Sequence, residues 1–166
     1  LTGMNIDGII GANVFKNLVV EINYKKNKLI FHHPAFFNPP KSNFQALDIN
    51  VKRNKPYIDC KTGLASNNYI DVHLLIDTGA ALHYLLHENT HEDIDLPKYV
   101  IPGNIGTGIG GNLKGYLGKV NYLEFGDSRF ERLTTSFQNL DETLIDDNRY
   151  IRNGILGNRI LERFFV

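Results

Sequence analysis

The sequence has a single cysteine, Cys60, among its 166 residues. One cysteine excludes an internal disulfide, and it also excludes a zinc site built from several cysteines. A cysteine that stands alone is more often a small buried hydrophobic residue than a nucleophile. We therefore expect Cys60 in the protein core.

An excess of charge of either sign is also absent, because 18 Lys and Arg residues balance 18 Asp and Glu residues. Nucleic acids and anionic membranes attract proteins through a basic surface, so neither is an expected partner. No apolar run is long enough to span a bilayer, so we expect no membrane span. The hydrophobic fraction of 42% is typical of a globular protein, and the length allows one domain or one domain plus a fragment.

The pattern of apolar residues and polar turns favours an all-β fold. Five segments are predicted to be strands or hairpins, at 19–32, 46–60, 69–77, 116–125 and 129–137. In the third segment apolar residues alternate with mostly polar ones, so its even-numbered residues should share one buried face. Helices are indicated at only two places, about 12–17 and 158–163, and both are short.

An internal repeat suggests how the chain is organised. Residues 7–20 resemble residues 153–166, since each copy has a glycine, two aliphatic residues, a glycine, a short helix and the start of an apolar strand. We predict that residues 1–33 are the C-terminal tail of a preceding lobe. The proline-rich residues 34–44 form a linker, and residues 45–166 form a lobe without its last hairpin. The hairpin of the first part should cover the edge that the missing hairpin leaves, in its own chain or in a neighbour.

A carboxylate stands at the end of the strand at 69–77, within the segment Asp77-Thr78-Gly79-Ala80. A charge at the end of an apolar strand is costly unless hydrogen-bond donors surround it, and small residues after it let the backbone turn and donate. A simple turn made by Asp and Gly would also explain this tetrapeptide. Two more segments follow it in order: the glycine-rich residues 102–115, and Gly154-Ile155-Leu156-Gly157 before a short helix.

These three segments, in this order, resemble the retropepsin-like aspartic proteases over about residues 46–166, and most closely bacterial members built as two tandem lobes. The resemblance implies a closed β-barrel like a pepsin lobe, with a glycine-rich flap hairpin and one or two short helices. It also implies hydrolysis of a peptide or protein substrate by a water held between two aspartates that share one proton. No metal or organic cofactor is implied.

The resemblance assigns roles to individual residues. Asp77 would be a catalytic carboxylate, Thr78 would hydrogen-bond to a facing loop, and the Gly79 amide would support the Asp77 carboxylate. The expected substrate contacts are Ala80, Gly108, Ile109, Gly110 and Gly111. The sequence has one Asp-Thr-Gly, so the second aspartate is expected from a second lobe outside these residues or from a homodimer mate.

Three other motifs are less favoured as functional sites, and for the first a zinc metalloprotease stays the less favoured alternative function. The segment His87-Glu88-Asn89-Thr90-His91 matches the His-Glu-x-x-His of zinc proteases, which requires a helix, but Asn89 and Thr90 are poor helix formers. We therefore predict a polar loop there. The glycines at 106–111 match a dinucleotide-binding pattern that needs a following helix, and none is indicated. The acidic residues at 141–147 lack the ligand spacing of a calcium loop.

A rival hypothesis comes from another functional class. The chain would then be a binding module of aspartic-protease fold that holds extended peptides without cutting them. The two hypotheses differ in one requirement, since peptide hydrolysis needs a second Asp-Thr-Gly loop facing Asp77 and peptide binding does not.

Overall fold

A computed structural model describes residues 8–40, 42–64, 69–108, 111–140 and 152–166. The strands are β1 Val19–Asn23, β2 Lys28–His32, β3 Asn50–Lys52, β4 Lys55–Gly63, β5 Tyr69–Asp77, β6 Tyr84–Leu86, β7 Ile101–Gly108, β8 Gly111–Lys119, β9 Tyr122–Phe125, β10 Ser128–Glu131, β11 Thr134–Phe137 and β12 Gly154–Gly157. The one α-helix in these ranges is α1, Asn158–Leu161, and single-turn 3-10 helices lie at Ala12–Val14, Tyr24–Lys26, Pro34–Phe36 and Glu88–Thr90. None of the described helices is long and apolar enough to cross a membrane.

Strands β3 to β12 form one sheet, and β1 and β2 form a separate hairpin. The order along the large sheet is β10-β9-β4-β5-β12-β6-β11-β8-β7, with β3 also paired to β4. The predicted all-β class with few short helices is therefore confirmed. The sheet does not close into the predicted barrel, because closure needs pairing between its end strands, and β10 and β7 do not pair with each other in the described residues.

Both predicted hairpins form at the expected places. Strands β1 and β2 pair antiparallel around the turn that follows Asn23, and β3 and β4 pair antiparallel around Arg53 and Asn54. These two turn residues have φ angles of 49° and 61°, as a two-residue hairpin turn requires of its central positions.

The two predicted strands at 116–125 and 129–137 are each broken in two. The first bends between β8 and β9, and the second bends at Arg132, whose φ is 50°. The bends lie together, since the Arg132 amide donates to the Asn121 carbonyl at 2.6 Å and the Val120 amide donates to the Leu133 carbonyl at 3.1 Å. At this point the chain exchanges one set of strand neighbours for another, which apolar alternation alone does not reveal.

The core lies along one face of β5 and the strands beside it. Val72 and Leu74 are buried on the face that the alternation predicts, with Leu74 fully inaccessible. Tyr84 of β6 is also fully buried, and its hydroxyl shares a 2.7 Å hydrogen bond with Thr62 Oγ1. Cys60 is buried as expected, and burial raises the pKa of its thiol to about 12, so it is an unreactive core residue.

The hairpin β1–β2 contacts the C-terminal residues of the same chain. Ile22 and Val166 exchange backbone hydrogen bonds of 2.6 and 3.2 Å, which adds residue 166 to the edge of the hairpin. The Tyr24 hydroxyl donates to Asn158 Oδ1 at 2.7 Å at the start of α1. These bonds attach the first part of the chain to the end of the second, while the division into two lobes and a linker stays a prediction.

Strand β12 comes from the far end of the sequence and lies between β5 and β6. It runs parallel to β5, with Gly157 opposite Asp77, and antiparallel to β6. Glycine is required at both ends of this strand, because a Cβ on Gly154 would overlap the Leu85 carbonyl oxygen and a Cβ on Gly157 would overlap the Leu82 carbonyl oxygen. The small residues of the 154–157 segment therefore let a strand insert where a side chain has no room.

Replacing Gly154 with alanine should destabilise the fold by about 1–3 kcal/mol, the usual range for overpacking a well-packed core. The matched control is Gly103→Ala on β7, where an added Cβ has no neighbour within 4 Å. Urea unfolding of both variants measures the difference in the free energy of unfolding. Equal stability of the two variants would show that β12 does not fit as tightly as described.

Candidate active site

Asp77 is the last residue of β5 and is half-buried at the end of the strand. The Gly79 amide donates a hydrogen bond to Asp77 Oδ1 at 2.9 Å, and the Ala80 amide donates to the Asp77 carbonyl at 3.2 Å. The turn after the strand therefore orients the carboxylate with a backbone donor. Thr78 is exposed at the tip of this turn.

The loop after Asp77 is fixed from the other side by the end of β12 and the start of α1. The Asn158 amide donates to the Ala80 carbonyl at 2.9 Å, and the Arg159 amide donates to the Leu82 carbonyl at 3.1 Å. Backbone-to-backbone bonds of this kind hold the loop without relying on side chains, so the position of Asp77 depends on β12 and α1.

A cavity of about 600 Å³ lies beside Asp77. One wall is the Asp77 loop, which contributes Gly79 and Ala80 to the lining. The β7–β8 hairpin also lines the cavity, through Gly106, Thr107, Gly108 and Leu113. A carboxylate and a glycine-rich hairpin therefore share one cavity.

The β7–β8 hairpin is the segment predicted to be a flap. Gly108 pairs with Gly111 at the end of its ladder, and the Thr107 hydroxyl donates to Asn112 Oδ1 at 3.2 Å. Gly111 has a φ of 110°, which favours glycine because other residues are strained there. Gly108 lines the cavity; Ile109 and Gly110, two of the expected substrate contacts, lie outside the described residues.

Arg152 also lines this cavity, and the sequence analysis did not single it out. Its side chain is half-buried, and this burial lowers the pKa of the guanidinium, while the nearby charges of Tyr57 and Asp77 act in the opposite direction. The available signal was its position two residues before the 154–157 segment. That signal has meaning only once β12 is known to lie next to Asp77.

His87 lines the cavity as well, although it was considered only as a metal ligand. It is 3% exposed, and its Nδ1 lies 3.2 Å from the Gln138 carbonyl oxygen, so this nitrogen is the donor and Nε2 is the acceptor. Nε2 has no hydrogen-bond partner among the described residues. Burial lowers the pKa of His87 to about 4, and the charge of Arg152 contributes to the same shift.

The geometry of His87 and His91 does not support a zinc-protease site. His87 precedes, and His91 follows, a single 3-10 turn at Glu88–Thr90, and His91 is extended with a φ of −157°. No group of three or more metal-ligating side chains is found in the part of the chain that the structure describes. Gly106, Gly108 and Gly111 belong to two paired strands, with β8 in place of the helix that a dinucleotide site needs, and Gly110 lies outside the described residues. The acidic residues at 141–147 lie outside the described residues.

The depressed pKa of His87 predicts a specific pH dependence of stability. A histidine with a pKa of about 4 when folded and about 6.5 when unfolded binds protons preferentially in the unfolded state. The stability it contributes is complete above pH 6.5 and is lost as the pH falls toward 4. Between pH 7 and 4.5, wild type should therefore lose on the order of 2 kcal/mol more stability than His87→Gln.

Urea unfolding at both pH values provides the measurement, with the exposed His33→Gln as the matched control. His33→Gln should follow wild type. If His87→Gln loses as much stability as wild type over this range, His87 is not buried in its neutral form.

The chain matches no family model and no curated protein sequence. Among solved structures it is similar to a retropepsin-like aspartic protease from Rickettsia conorii, with 20% sequence identity and a TM-score of 0.48. The match covers 70% of this chain and 77% of that chain. A likeness at this level assigns no function to the chain.

Proposed function

We propose that this chain is a lobe of an aspartic endopeptidase and that Asp77 is one of the two carboxylates that activate a water. The observation that supports the proposal most directly is the cavity of about 600 Å³, which both Asp77 and the glycine-rich hairpin line. The Asp-Thr-Gly-Ala motif and the order of the three sequence segments agree with it.

The reaction requires two carboxylates that share one proton. The ionised carboxylate removes a proton from the water as the water oxygen attacks the carbonyl carbon of the scissile peptide bond. The protonated carboxylate donates to the carbonyl oxygen, so that a tetrahedral intermediate forms. Transfer of a proton to the amide nitrogen then breaks the carbon–nitrogen bond and releases the two products. In this scheme the Gly79 amide holds Asp77 in place by its bond to Oδ1.

The glycine-rich hairpin would bind the substrate in extended form. Gly106 and Gly108 line the cavity without side chains, so a peptide backbone is able to approach closely. A peptide that pairs with exposed backbone groups gains affinity without dependence on its sequence, and the cavity around Asp77 then receives individual side chains.

The second carboxylate would come from a second Asp-Thr-Gly loop, because the sequence contains one. Thr78 is exposed at the tip of its loop and is accessible to a facing loop. In a homodimer, a two-fold axis would pair the two copies of this loop and bring two Asp77 carboxylates to one water. In a two-lobe protein, the second loop would belong to another lobe of the same polypeptide.

Asp77→Asn should reduce peptide hydrolysis by at least about a hundredfold, because asparagine keeps the shape but neither accepts nor donates the proton that acid–base catalysis transfers. The matched control is Asp71→Asn, six residues earlier on β5, where the side chain is exposed and outside the cavity. The measurement is cleavage of a peptide library by the full-length protein, followed by mass spectrometry. Cleavage by the Asp77→Asn variant at the wild-type rate would exclude the aspartic mechanism.

The same experiment separates the endopeptidase from the peptide-binding module. A binding module would retain peptides on both variants and cleave none with wild type. An endopeptidase would cleave with wild type and Asp71→Asn, while Asp77→Asn would bind the same peptides without cleaving them.

A mixing experiment distinguishes the two sources of the second aspartate. If the active form is a homodimer, wild type mixed with Asp77→Asn and allowed to exchange forms mixed dimers that have one carboxylate and are inactive. At equal concentrations, activity should then fall to about a quarter of that of an all-wild-type sample with the same total protein. A fall to about half, with light scattering that shows a monomer, would indicate instead that both carboxylates belong to one polypeptide.

A further inference from the structure

Arg152 is a fixed positive charge in a largely apolar part of the cavity. Its neighbours in the lining include Leu85, Leu140 and Ile155, and Asp77 is the only carboxylate among the described lining residues. No ion pair within 4.0 Å joins Arg152 to any carboxylate of the described residues. A half-buried guanidinium has lost part of its hydration, and no carboxylate of the described residues replaces it by an ion pair within 4.0 Å.

The Asp77 carboxylate does not act as the binding partner of the Arg152 guanidinium. In the proposed reaction the Asp77 carboxylate faces the water and the second carboxylate, so its free lone pairs are used there. Arg152 and Asp77 nevertheless line the same cavity, and the charge of Asp77 acts on the guanidinium. A group bound to Arg152 would therefore lie in the cavity that receives the scissile bond in the proposed reaction.

His87 supplies a second polar group in the same cavity. Its ring is almost completely buried, and its Nε2 is an acceptor that lacks a partner among the described residues. Buried polar atoms are usually paired, so an unpaired acceptor that lines a cavity suggests that a donor of the ligand, such as a peptide N–H, belongs there. An ionised carboxylate has no proton to donate, so the acidic side chain itself would bind Arg152 and not His87. His87 and Arg152 line the same cavity, and the positive charge of Arg152 acts on the imidazole.

From these positions we propose that Arg152 is a specificity-determining residue that selects substrates with an acidic side chain, Asp or Glu, next to the scissile bond. A carboxylate matches the guanidinium with two parallel charge-assisted hydrogen bonds, which are roughly twice as strong as neutral ones. A glutamine or asparagine side chain would accept from Arg152 and donate to His87 Nε2, but it would bring no negative charge to the guanidinium. The inference rests on the proposed function, because it concerns the same site.

Binding of uncleavable substrate mimics tests the proposal without requiring turnover. The probes are peptides with a hydroxyl-bearing carbon in place of the scissile carbonyl, in matched sets with Glu, Gln or Leu on one side or the other of that carbon. Calorimetry with the full-length protein should give a Kd for the Glu probe that is at least about tenfold lower than for the isosteric Gln probe, in one of the two positions.

Arg152→Met should remove the difference between the Glu and Gln probes, and Arg152→Lys should keep part of it because lysine keeps the charge but lacks the planar fork. The matched control is Arg159→Met, since Arg159 is exposed and lies outside the cavity lining. That variant should keep the wild-type preference. Thermal unfolding confirms that each variant is folded, and Arg152→Lys provides the comparison if Arg152→Met is not.

Three results would overturn the proposal: equal binding of the Glu and Gln probes to wild type, tighter binding of the Gln or Leu probe, or a Glu preference that Arg152→Met retains. Failure of every probe to bind would also overturn it. The proposed function fails separately, if no peptide is cleaved in an Asp77-dependent way. A chain that prefers the Glu probe but cleaves nothing would support an acidic-peptide site and exclude the endopeptidase.

Discussion

The insertion of β12 between β5 and β6 is the constraint on which the rest of the site depends. It joins the last described segment of the chain to the strand that ends in Asp77, with Gly157 opposite that residue. The insertion requires a strand that begins and ends in glycine, because the carbonyl oxygens of Leu82 and Leu85 occupy the space of a Cβ. Once β12 is in place, α1 begins directly beside the Asp77 loop and binds its carbonyl groups through backbone amides. A local turn at Asp77 is thereby converted into a loop fixed by residues eighty positions away.

The local features of this arrangement were predictable from the sequence, because they depend on neighbours. The alternation in β5 identified its buried face, and the turn residues identified both hairpins. The breaks near Asn121 and Arg132 were not predicted, since they arise where the segments on either side of the β9–β10 hairpin bond to each other, and apolar alternation does not specify such bonds. The barrel prediction was wrong for a related reason, because closure depends on pairing between strands at opposite ends of the sheet, which no local pattern specifies.

In the candidate site, too, residues within contiguous motifs were predictable and isolated residues were not. Asp77 and the glycine-rich hairpin were identified from motifs that are contiguous in sequence, and both line the cavity. Arg152 was missed because a lone Arg has no motif, and His87 was considered only as part of the His-Glu-x-x-His spacing. Their relevance follows from burial, since in water the charge of Arg152 and the unpaired Nε2 of His87 would both be hydrated.

Burial of polar groups in this cavity also explains why one lobe would bind substrate but not complete the proposed reaction. A carboxylate, a guanidinium and a neutral imidazole beside an apolar cavity are able to recognise a polar side chain of an extended peptide. Hydrolysis requires in addition a protonated group that donates its proton to the substrate while Asp77 is ionised. Among the described groups in the cavity, neither Arg152 nor neutral His87 with its acceptor Nε2 is such a donor. Arginine does not give up its proton in proteins, and His87 becomes a stronger donor only after an uptake of a proton that its burial opposes. A second carboxylate close to Asp77 satisfies the requirement, because two such groups share a proton at a pH where each alone would be ionised. Under the proposed function, recognition is therefore a property that this chain would hold by itself, and catalysis would need two such loops together.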